Sequence, residues 1–185
     1  MTASGLSLRM AECGDADLLF QLMQYYYFEA SAWSGEQVGR DGLYDYDRAD
    51  AIAMLETGPE RVRLLECDGG VVGFVLLDDL DLSSVGDASL RDCLDAFLPG
   101  AGHRVREVAD LFVLPTWRRR GLAVETVRRL LVPGSGLWLI ATFRDDLKAH
   151  AYWQRALPRL GLRYISLPDE LDARFRLFAL AAPLA

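Results

Sequence analysis

Hydrophobic residues follow two periods along the chain, one of two residues and one close to a helical turn. Leu6, Leu8 and Met10 alternate with polar residues, as in a half-buried strand. Runs of this kind predict strands near Leu6–Met10, Arg61–Cys67, Val71–Leu77, Arg106–Leu114, Leu137–Phe143, Leu162–Ser166 and Arg174–Ala181. Apolar residues three and four positions apart predict helices from about Asp15 to Ala30, Asp47 to Thr57, Leu90 to Phe97, Arg119 to Leu131, and from about Asp145 onward.

The turns between these elements indicate the fold class. Asp68-Gly69-Gly70 joins two predicted strands as a hairpin, and Gly58-Pro59 ends the second helix. Residues 78–103 form a long acidic connection, a kind of segment that is often functional. Strands that alternate with helices beside a hairpin predict an α/β fold with a mixed sheet. A length of 185 residues predicts one domain over residues 1–185.

Composition narrows the class of protein further. Hydrophobic residues make up 51% and charged residues 25%, which is the balance of a globular protein with a core. Neither a membrane-spanning run nor a signal peptide is expected, and no membrane partner. Three widely spaced cysteines and two histidines predict neither disulfides nor a metal site. These features predict a cytoplasmic protein without a bound metal.

Charge is distributed unevenly along the chain. The net charge of −7 argues against a nucleic-acid partner, which needs a basic surface. Five of the 20 basic residues nevertheless lie within Arg118–Arg129, whereas acidic residues gather in Asp41–Asp47 and Asp78–Asp87. This separation suggests one anionic ligand and a separate cationic one. The alternative is that both segments are solvated surfaces.

The segment Val108–Ala123 has the pattern of an anion-binding site. A predicted strand ends at Pro115, and Arg118-x-x-Gly121-x-Ala123 then opens a predicted helix. Small residues allow a ligand to approach the backbone, and free N–H groups at a helix N-terminus point toward it. The neighbouring arginines add charge-assisted contacts to an anion.

These residues resemble the GNAT superfamily of acyl-CoA-dependent N-acetyltransferases. Arg118, Gly121 and Ala123 match its pyrophosphate-binding signature, and Asp146-x-x-Ala149-x-x-Tyr152-Trp153 is similar to a motif on its later helix. The resemblance implies a GNAT-like fold: a central, twisted, mixed but mostly antiparallel sheet of about six or seven strands, with about four helices and splayed strands 4 and 5. The resemblance covers nearly the whole chain. Within the superfamily, the chain is similar to a bacterial subgroup of predicted acetyltransferases that has no assigned substrate.

The resemblance also implies the cofactor and its contacts. The acyl donor would be acetyl-CoA, used as a co-substrate without a metal. Backbone groups of the fourth strand would face the pantetheine arm and the thioester, and the signature loop would hold the pyrophosphate. The residues implied to bind coenzyme A are Leu111, Phe112, Val113, Arg118, Arg119, Arg120, Gly121, Leu122, Ala123, Val124, Asp146 and Tyr152. Asp146 has a second interpretation, since it can cap its helix.

Acetyl transfer to an amine requires a base, because a primary amine is protonated at neutral pH. Glu107 lies eleven residues before Arg118, where several branches of the superfamily carry their base, and Asp110 is the second candidate. The two are three positions apart, so their side chains point to opposite faces of a regular strand. Tyr152 is the candidate acid, although the family's usual tyrosine position holds Trp153, which is expected to pack in the core.

The acceptor site is expected near the aromatic and acidic residues of the N-terminal half. Tyr25 and Asp45 are the candidates for binding the acceptor, an amine on a small molecule or a protein, which the acidic loop indicates is cationic. Tyr26 lies on the apolar stripe of its helix and is expected in the core. An amine N-acetyltransferase acting by direct attack is the first hypothesis. A non-catalytic acyl-CoA-binding module, acting as a sensor or partner protein, is the second, and a homodimer is left open.

Overall fold

The computed structural model describes residues 5–83, 88–100, 102, 104–131 and 136–182. Within these residues it contains seven strands and five α-helices. The strands are β1 (Ser7–Met10), β2 (Val62–Cys67), β3 (Gly70–Asp81), β4 (Arg104–Val113), β5 (Gly136–Phe143), β6 (Arg163–Ser166) and β7 (Phe175–Ala182). The helices are α1 (Ala16–Ser34), α2 (Arg48–Thr57), α3 (Ala88–Phe97), α4 (Leu122–Leu131) and α5 (Leu147–Ala156).

The strands form a mixed sheet in the order β1-β2-β3-β4-β5-β7-β6. Strands β1 and β2, β2 and β3, β5 and β7, and β6 and β7 pair antiparallel, whereas β4 and β5 are parallel. The register of the parallel pair runs from Arg106 with Trp138 to Val108 with Ile140, and β4 continues to Val113. The α/β class and the mixed, mostly antiparallel sheet predicted from the sequence are confirmed; the splay of β4 and β5 stays a prediction.

The chain divides into two compact units, and β3 and β4 each contribute to both. The first comprises Met1–Leu76 and Asp110–Leu122. Its core includes the apolar stripe of α1, where Leu19, Leu22 and Met23 are buried, and α1 contacts α2. The prediction of a single domain over residues 1–185 stays a prediction.

The second unit comprises Leu77–Ala109 and Ala123–Ala185. Its core joins the buried faces of α3, β4, β5 and β7. The buried members of this cluster are Leu82, Leu94, Phe97, Val105, Leu137, Leu139, Leu167, Ala179 and Ala181. Residues of the predicted acidic connection therefore supply part of a core, because α3 turns Leu94 and Phe97 inward.

Three boundaries differ by three or four residues from those predicted. Helix α1 extends to Ser34, where Gly35 adopts a left-handed φ of 77° and ends it. Strand β3 extends through the acidic residues to Asp81 rather than ending at Leu77. Helix α4 begins at Leu122 rather than near Arg119, because the φ of Arg119 is +62°, which a right-handed helix cannot contain.

Candidate active site

A partly buried hydrogen bond in the first unit joins Tyr26 of α1 to Asp110 of β4. The Tyr26 hydroxyl donates to Asp110 Oδ1. The Tyr26 ring meets Phe74 and Phe112 edge-on, with ring centroids 5.9 and 6.3 Å apart. These contacts fix the direction of the hydroxyl group, so the hydrogen bond holds the Asp110 carboxylate in one orientation.

Burial changes the proton affinity of both partners. It raises the pKa of Asp110 above its ordinary value; the hydrogen bond from Tyr26 opposes this effect, and the negative charge of Glu36 adds to it. Burial likewise raises the pKa of Tyr26 well above that of a free phenol, so Tyr26 remains a neutral donor. A carboxylate with a raised pKa in a cavity wall is suited to accept a proton near neutral pH.

A cavity of about 420 Å³ lies beside Asp110 in the same unit. Its wall combines three carboxylates, two tyrosines and apolar side chains. The residues that line it are Met23, Tyr27, Asp45, Tyr46, Asp50, Ala53, Met54, Leu76 and Asp110. Its size falls at the lower end of the range for small-molecule sites, about 300–1,000 Å³.

The loop that carries Asp45 is held to α1 by one side chain. Gln24 Nε2 donates to the carbonyl oxygens of Tyr44 and Tyr46, at 3.3 and 2.7 Å, and Gln24 Oε1 accepts from the Tyr44 N–H at 2.9 Å. Asp47, which follows this loop, caps α2 by accepting from the N–H groups of Ala49 and Asp50. The glycine-rich segment therefore ends in a fixed backbone that presents Asp45 to the cavity.

The predicted acceptor and base residues are only partly brought together. Asp45 and Asp110 both line the cavity, whereas Tyr25 and Glu107 are not among its described lining residues. Tyr25 is 54% exposed on α1, and Tyr27 lines the cavity instead. Glu107 lies an odd number of residues from Asp110 on β4, which corresponds to the other face of the strand, and it pairs with Leu139 of β5.

The predicted cofactor loop follows β4 in an unusual backbone conformation. A 3₁₀ turn over Pro115–Trp117 precedes Arg119 and Gly121, whose φ angles are +62° and +79°. A left-handed arginine costs about 1–3 kcal/mol, and such strain concentrates at functional sites. A Cβ atom on Gly121 would meet nothing within 4 Å, so the space beside its backbone is open. An open backbone next to the N-terminus of α4 fits the pyrophosphate of coenzyme A.

The arginines of this loop are held in different ways. Arg118 Nη2 donates to both carboxylate oxygens of Glu29 at 2.8 Å, and its Nε donates to the Val113 carbonyl at 2.7 Å. Arg120 lies over the Trp117 ring, 4.5 Å from its centroid. Arg119 is exposed. Arg118 therefore links the loop to α1, whereas Arg119 and Arg120 lie at the surface.

The strand residues implied to face the cofactor differ in burial. Phe112 is buried, whereas Leu111 and Val113 are partly exposed. The backbone of β3 approaches Phe112 closely, because a Cβ atom on Gly73 would stand 2.0 Å from the Phe112 carbonyl oxygen. Glycine at position 73 is thus required for this strand contact.

In the second unit, Tyr152 lies against the first turn of α4. Its hydroxyl oxygen accepts a hydrogen bond from the backbone of Val124, which lowers its pKa, but burial outweighs this and raises the pKa of Tyr152. Trp153 is buried, in agreement with its predicted place in the core. Asp146 accepts from the N–H groups of Lys148 and Ala149, so it caps α5. Ala123 and Val124 are partly exposed at the start of α4.

Comparison with known proteins identifies the family. The model of the acetyltransferase (GNAT) family matches residues 21–157, most of the chain. The chain belongs to the GNAT family of acetyltransferases. This confirms the resemblance and the enzyme class that the motifs implied. A search of curated proteins found no match.

Solved structures of GNAT proteins share the fold along nearly the whole chain. A GNAT-family acetyltransferase from Streptococcus agalactiae 2603 is 19% identical, with 98% of each chain covered and a TM-score of 0.64. The acetyltransferase yncA of Salmonella typhimurium, solved with acetyl-CoA, is 15% identical, covers 97% and 95% of the two chains, and has a TM-score of 0.60. An agmatine N-acetyltransferase is 17% identical, covers 96% and 100%, and has a TM-score of 0.59. At these identities the likeness shows the fold alone.

The described residues contain neither a metal-binding cluster nor a membrane-spanning helix. No group of three or more histidine, cysteine or acidic side chains there is arranged to hold a metal ion. In the same part of the chain, every helix is too short or too polar to cross a membrane.

Sequence reasoning missed three residues of this site. Tyr26 was expected in the core, and Tyr27 and Tyr46 were not singled out. A signal for Tyr26 was available on its partner strand, because Asp110 alternates with the buried residues Val108 and Phe112 and so shares their face. A carboxylate on a buried face needs a polar partner, which the adjacent α1 supplies.

Proposed function

We propose that this GNAT protein transfers an acetyl group from acetyl-CoA to a primary amine by direct attack, with Asp110 as the general base. The observation that carries the proposal is the carboxylate of Asp110, oriented by Tyr26 and partly buried in the wall of an acidic cavity. When bound, acetyl-CoA supplies the thioester carbonyl carbon to which the amine nitrogen bonds, and coenzyme A leaves as the thiol.

The role of Asp110 is to remove the proton that blocks attack. A protonated amine has no lone pair, so one proton must reach a base before the N–C bond forms. The raised pKa of Asp110 brings its proton affinity closer to that of an amine, and the fixed Oδ1 keeps the carboxylate in one orientation. Asp45 adds negative charge that favours a cationic amine in the cavity.

The signature loop is proposed to bind the cofactor. Arg118, Arg119 and Arg120 supply positive charge, and the backbone of Gly121 and Leu122 opens α4. Tyr152 is the proposed proton donor to the departing thiolate, and its hydroxyl is held at the first turn of the same helix by Val124. Leu111, Phe112 and Val113, with Ala123, Val124 and Asp146, remain proposed cofactor contacts.

The names of structural neighbours support the reaction class. The yncA structure contains acetyl-CoA, and the agmatine N-acetyltransferase is named for an amine that is cationic. We therefore propose an amine acceptor for the present chain. We also propose that the protein acts in the cytoplasm, without a membrane partner.

The test is a thiol-release assay with acetyl-CoA and primary amines, with the acetylated product identified by mass. Asp110→Asn should retain coenzyme A affinity but lower turnover by about 10²–10⁴, the scale of general-base catalysis. Glu107→Gln is the matched control on the same strand and should retain most activity. An Asp110→Asn variant with wild-type turnover would contradict the proposal, even if Glu107→Gln is also fully active. If Glu107→Gln alone abolishes turnover, Glu107 is the base.

The same assay addresses the second hypothesis. A protein that binds acetyl-CoA in calorimetry but releases no thiol with any amine is a binding module. Tyr152→Phe completes the set, because loss of the proton donor should lower turnover by more than it weakens coenzyme A binding.

A further inference from the structure

The cavity beside Asp110 carries more negative charge than the transfer of one proton needs. Asp45 and Asp50 line it together with Asp110. Of the described residues that line the cavity, none is lysine or arginine. We propose that the acceptor is a compact amine with a second cationic group, which Asp45 and Asp50 bind while the reacting nitrogen lies at Asp110. This inference rests on the proposed acetyl transfer.

Tyr46, a buried residue that lines the cavity, carries a hydroxyl group whose hydrogen bonding a ligand would complete. Tyr46 is 7% exposed, and its hydroxyl has no hydrogen-bond partner among the described residues. An unsatisfied buried hydroxyl group is destabilising. Burial raises the pKa of Tyr46 to about 12, so the group is a neutral phenol. Its oxygen can therefore accept a hydrogen bond from an ammonium N–H.

The wall next to this hydroxyl is aromatic. The Tyr27 ring stacks on Tyr44 with centroids 6.2 Å apart and lies 6.0 Å from the Tyr46 ring. Faces of aromatic rings attract cations, and tyrosines beside carboxylates form a favourable site for an ammonium group. The wall therefore suits a positively charged group for reasons independent of the aspartates.

The aspartates of the cavity have different surroundings. Asp110 is largely withdrawn from solvent and bonded to Tyr26, whereas Asp45 and Asp50 are exposed. Asp50 Oδ2 accepts from the backbone N–H of Asp47 at 2.7 Å, which orients its carboxylate at the start of α2. One ammonium group that loses its proton to Asp110 leaves the charge of the other two unbalanced. A second cation on the acceptor offsets one of these two charges.

Charge also restricts the acceptor, and a cavity of about 420 Å³ lies within the size range of small-molecule sites. An acceptor that carries a carboxylate would place like charges together, and no basic residue among the described lining would offset them. The class is therefore an aliphatic diamine, or an amine with a guanidinium group, without an acidic group.

The test compares three acceptors with four-carbon chains: butane-1,4-diamine, butylamine and 2,4-diaminobutyrate. For the wild-type protein we expect kcat/KM for the diamine to exceed that for each of the others by about tenfold or more, the scale of one charge-assisted contact. In the Asp45→Asn/Asp50→Asn variant the advantage over butylamine should fall to near one. The asparagine at position 50 can still accept from Asp47, so α2 keeps its cap.

Control variants separate the cavity from general charge. Asp41→Asn removes a negative charge outside the described lining and keeps the acceptor for the Leu43 N–H, so it should leave the preference unchanged. Tyr46→Phe should raise KM for the diamine by about tenfold. Tyr44→Phe removes a hydroxyl that is bonded to Ser31 and should not.

The outcomes distinguish this inference from the proposed function. Equal kcat/KM for butylamine and the diamine overturns the inference while the transferase assignment stands. A preference for 2,4-diaminobutyrate also overturns it. If no amine releases thiol from acetyl-CoA, the proposed function fails and the inference fails with it.

Discussion

Replacing Tyr26 with phenylalanine removes one hydroxyl group and leaves the ring in place. The ring contacts with Phe74 and Phe112 are retained, so the change isolates the hydrogen bond to Asp110. A hydrogen bond to a charged group contributes about 1.5–3 kcal/mol. We therefore expect the free energy of unfolding of Tyr26→Phe to fall by about this amount where Asp110 is ionised.

The loss should depend on pH with a defined sign. The pKa of Asp110 is raised in the folded state, so folding favours its neutral form, and this stabilising contribution disappears as the pH rises through that pKa. Below it, Asp110 is protonated and the bond to Tyr26 is a neutral one, which contributes only about 0.5–1.5 kcal/mol. The destabilisation by Tyr26→Phe should therefore grow as the pH rises through the pKa of Asp110, a change to be followed from pH 5 to pH 9.

Urea denaturation followed by circular dichroism across this range measures the effect. Tyr25→Phe is the matched control, because the Tyr25 side chain lies on the same helix and is 54% exposed. This substitution should change the free energy of unfolding by less than about 0.5 kcal/mol. In activity, the acid limb of kcat/KM for Tyr26→Phe should move to higher pH, because Asp110 loses the donor that lowers its pKa. A loss of stability that is equal at every pH would refute the reasoning.

Three further predictions concern the backbone. Gly73→Ala should destabilise the protein by several kcal/mol in thermal unfolding, on the order of 3, because its Cβ would stand 2.0 Å from the Phe112 carbonyl oxygen; a wild-type Tm would contradict the close approach. Gly121→Glu should abolish coenzyme A binding in calorimetry, while Gly121→Ala, equally strained at φ +79° but uncharged, should retain more affinity. Asp47→Ala should cost about 0.5–2 kcal/mol in urea denaturation through loss of the α2 cap; an unchanged midpoint would argue against that cap.

Most of the fold could be predicted because the signals for it are local. The turn Asp68-Gly69-Gly70 and the alternating residues around it specify a hairpin without reference to the rest of the chain. The end of β3 could not be predicted, because Asp78 and Asp79 are poor strand formers that pairing with a neighbouring strand overrides. The start of α4 was misplaced because a left-handed Arg119 leaves no mark in the hydrophobic period.

The family was predictable because its signature lies in one segment. Arg118, Gly121 and Ala123 are close in sequence, and they identified the family. The cavity depends instead on contacts between segments that are far apart, such as Gln24 with Tyr44 and Tyr26 with Asp110. The apolar stripe of α1 correctly placed Tyr26 on the inner face, but it could not show that the hydroxyl meets a carboxylate there.

The position of Asp110 is best understood as a compromise between stability and function. An aspartate between Val108 and Phe112 interrupts the buried face of β4, where an apolar residue would be less costly to desolvate. The hydrogen bond from Tyr26 offsets part of that cost and leaves a carboxylate whose pKa is still raised. Local rules of strand patterning are broken here, and such violations are expected at functional sites rather than in a scaffold. The cost of placing Asp110 on this face is therefore the physical argument for its taking part in the chemistry.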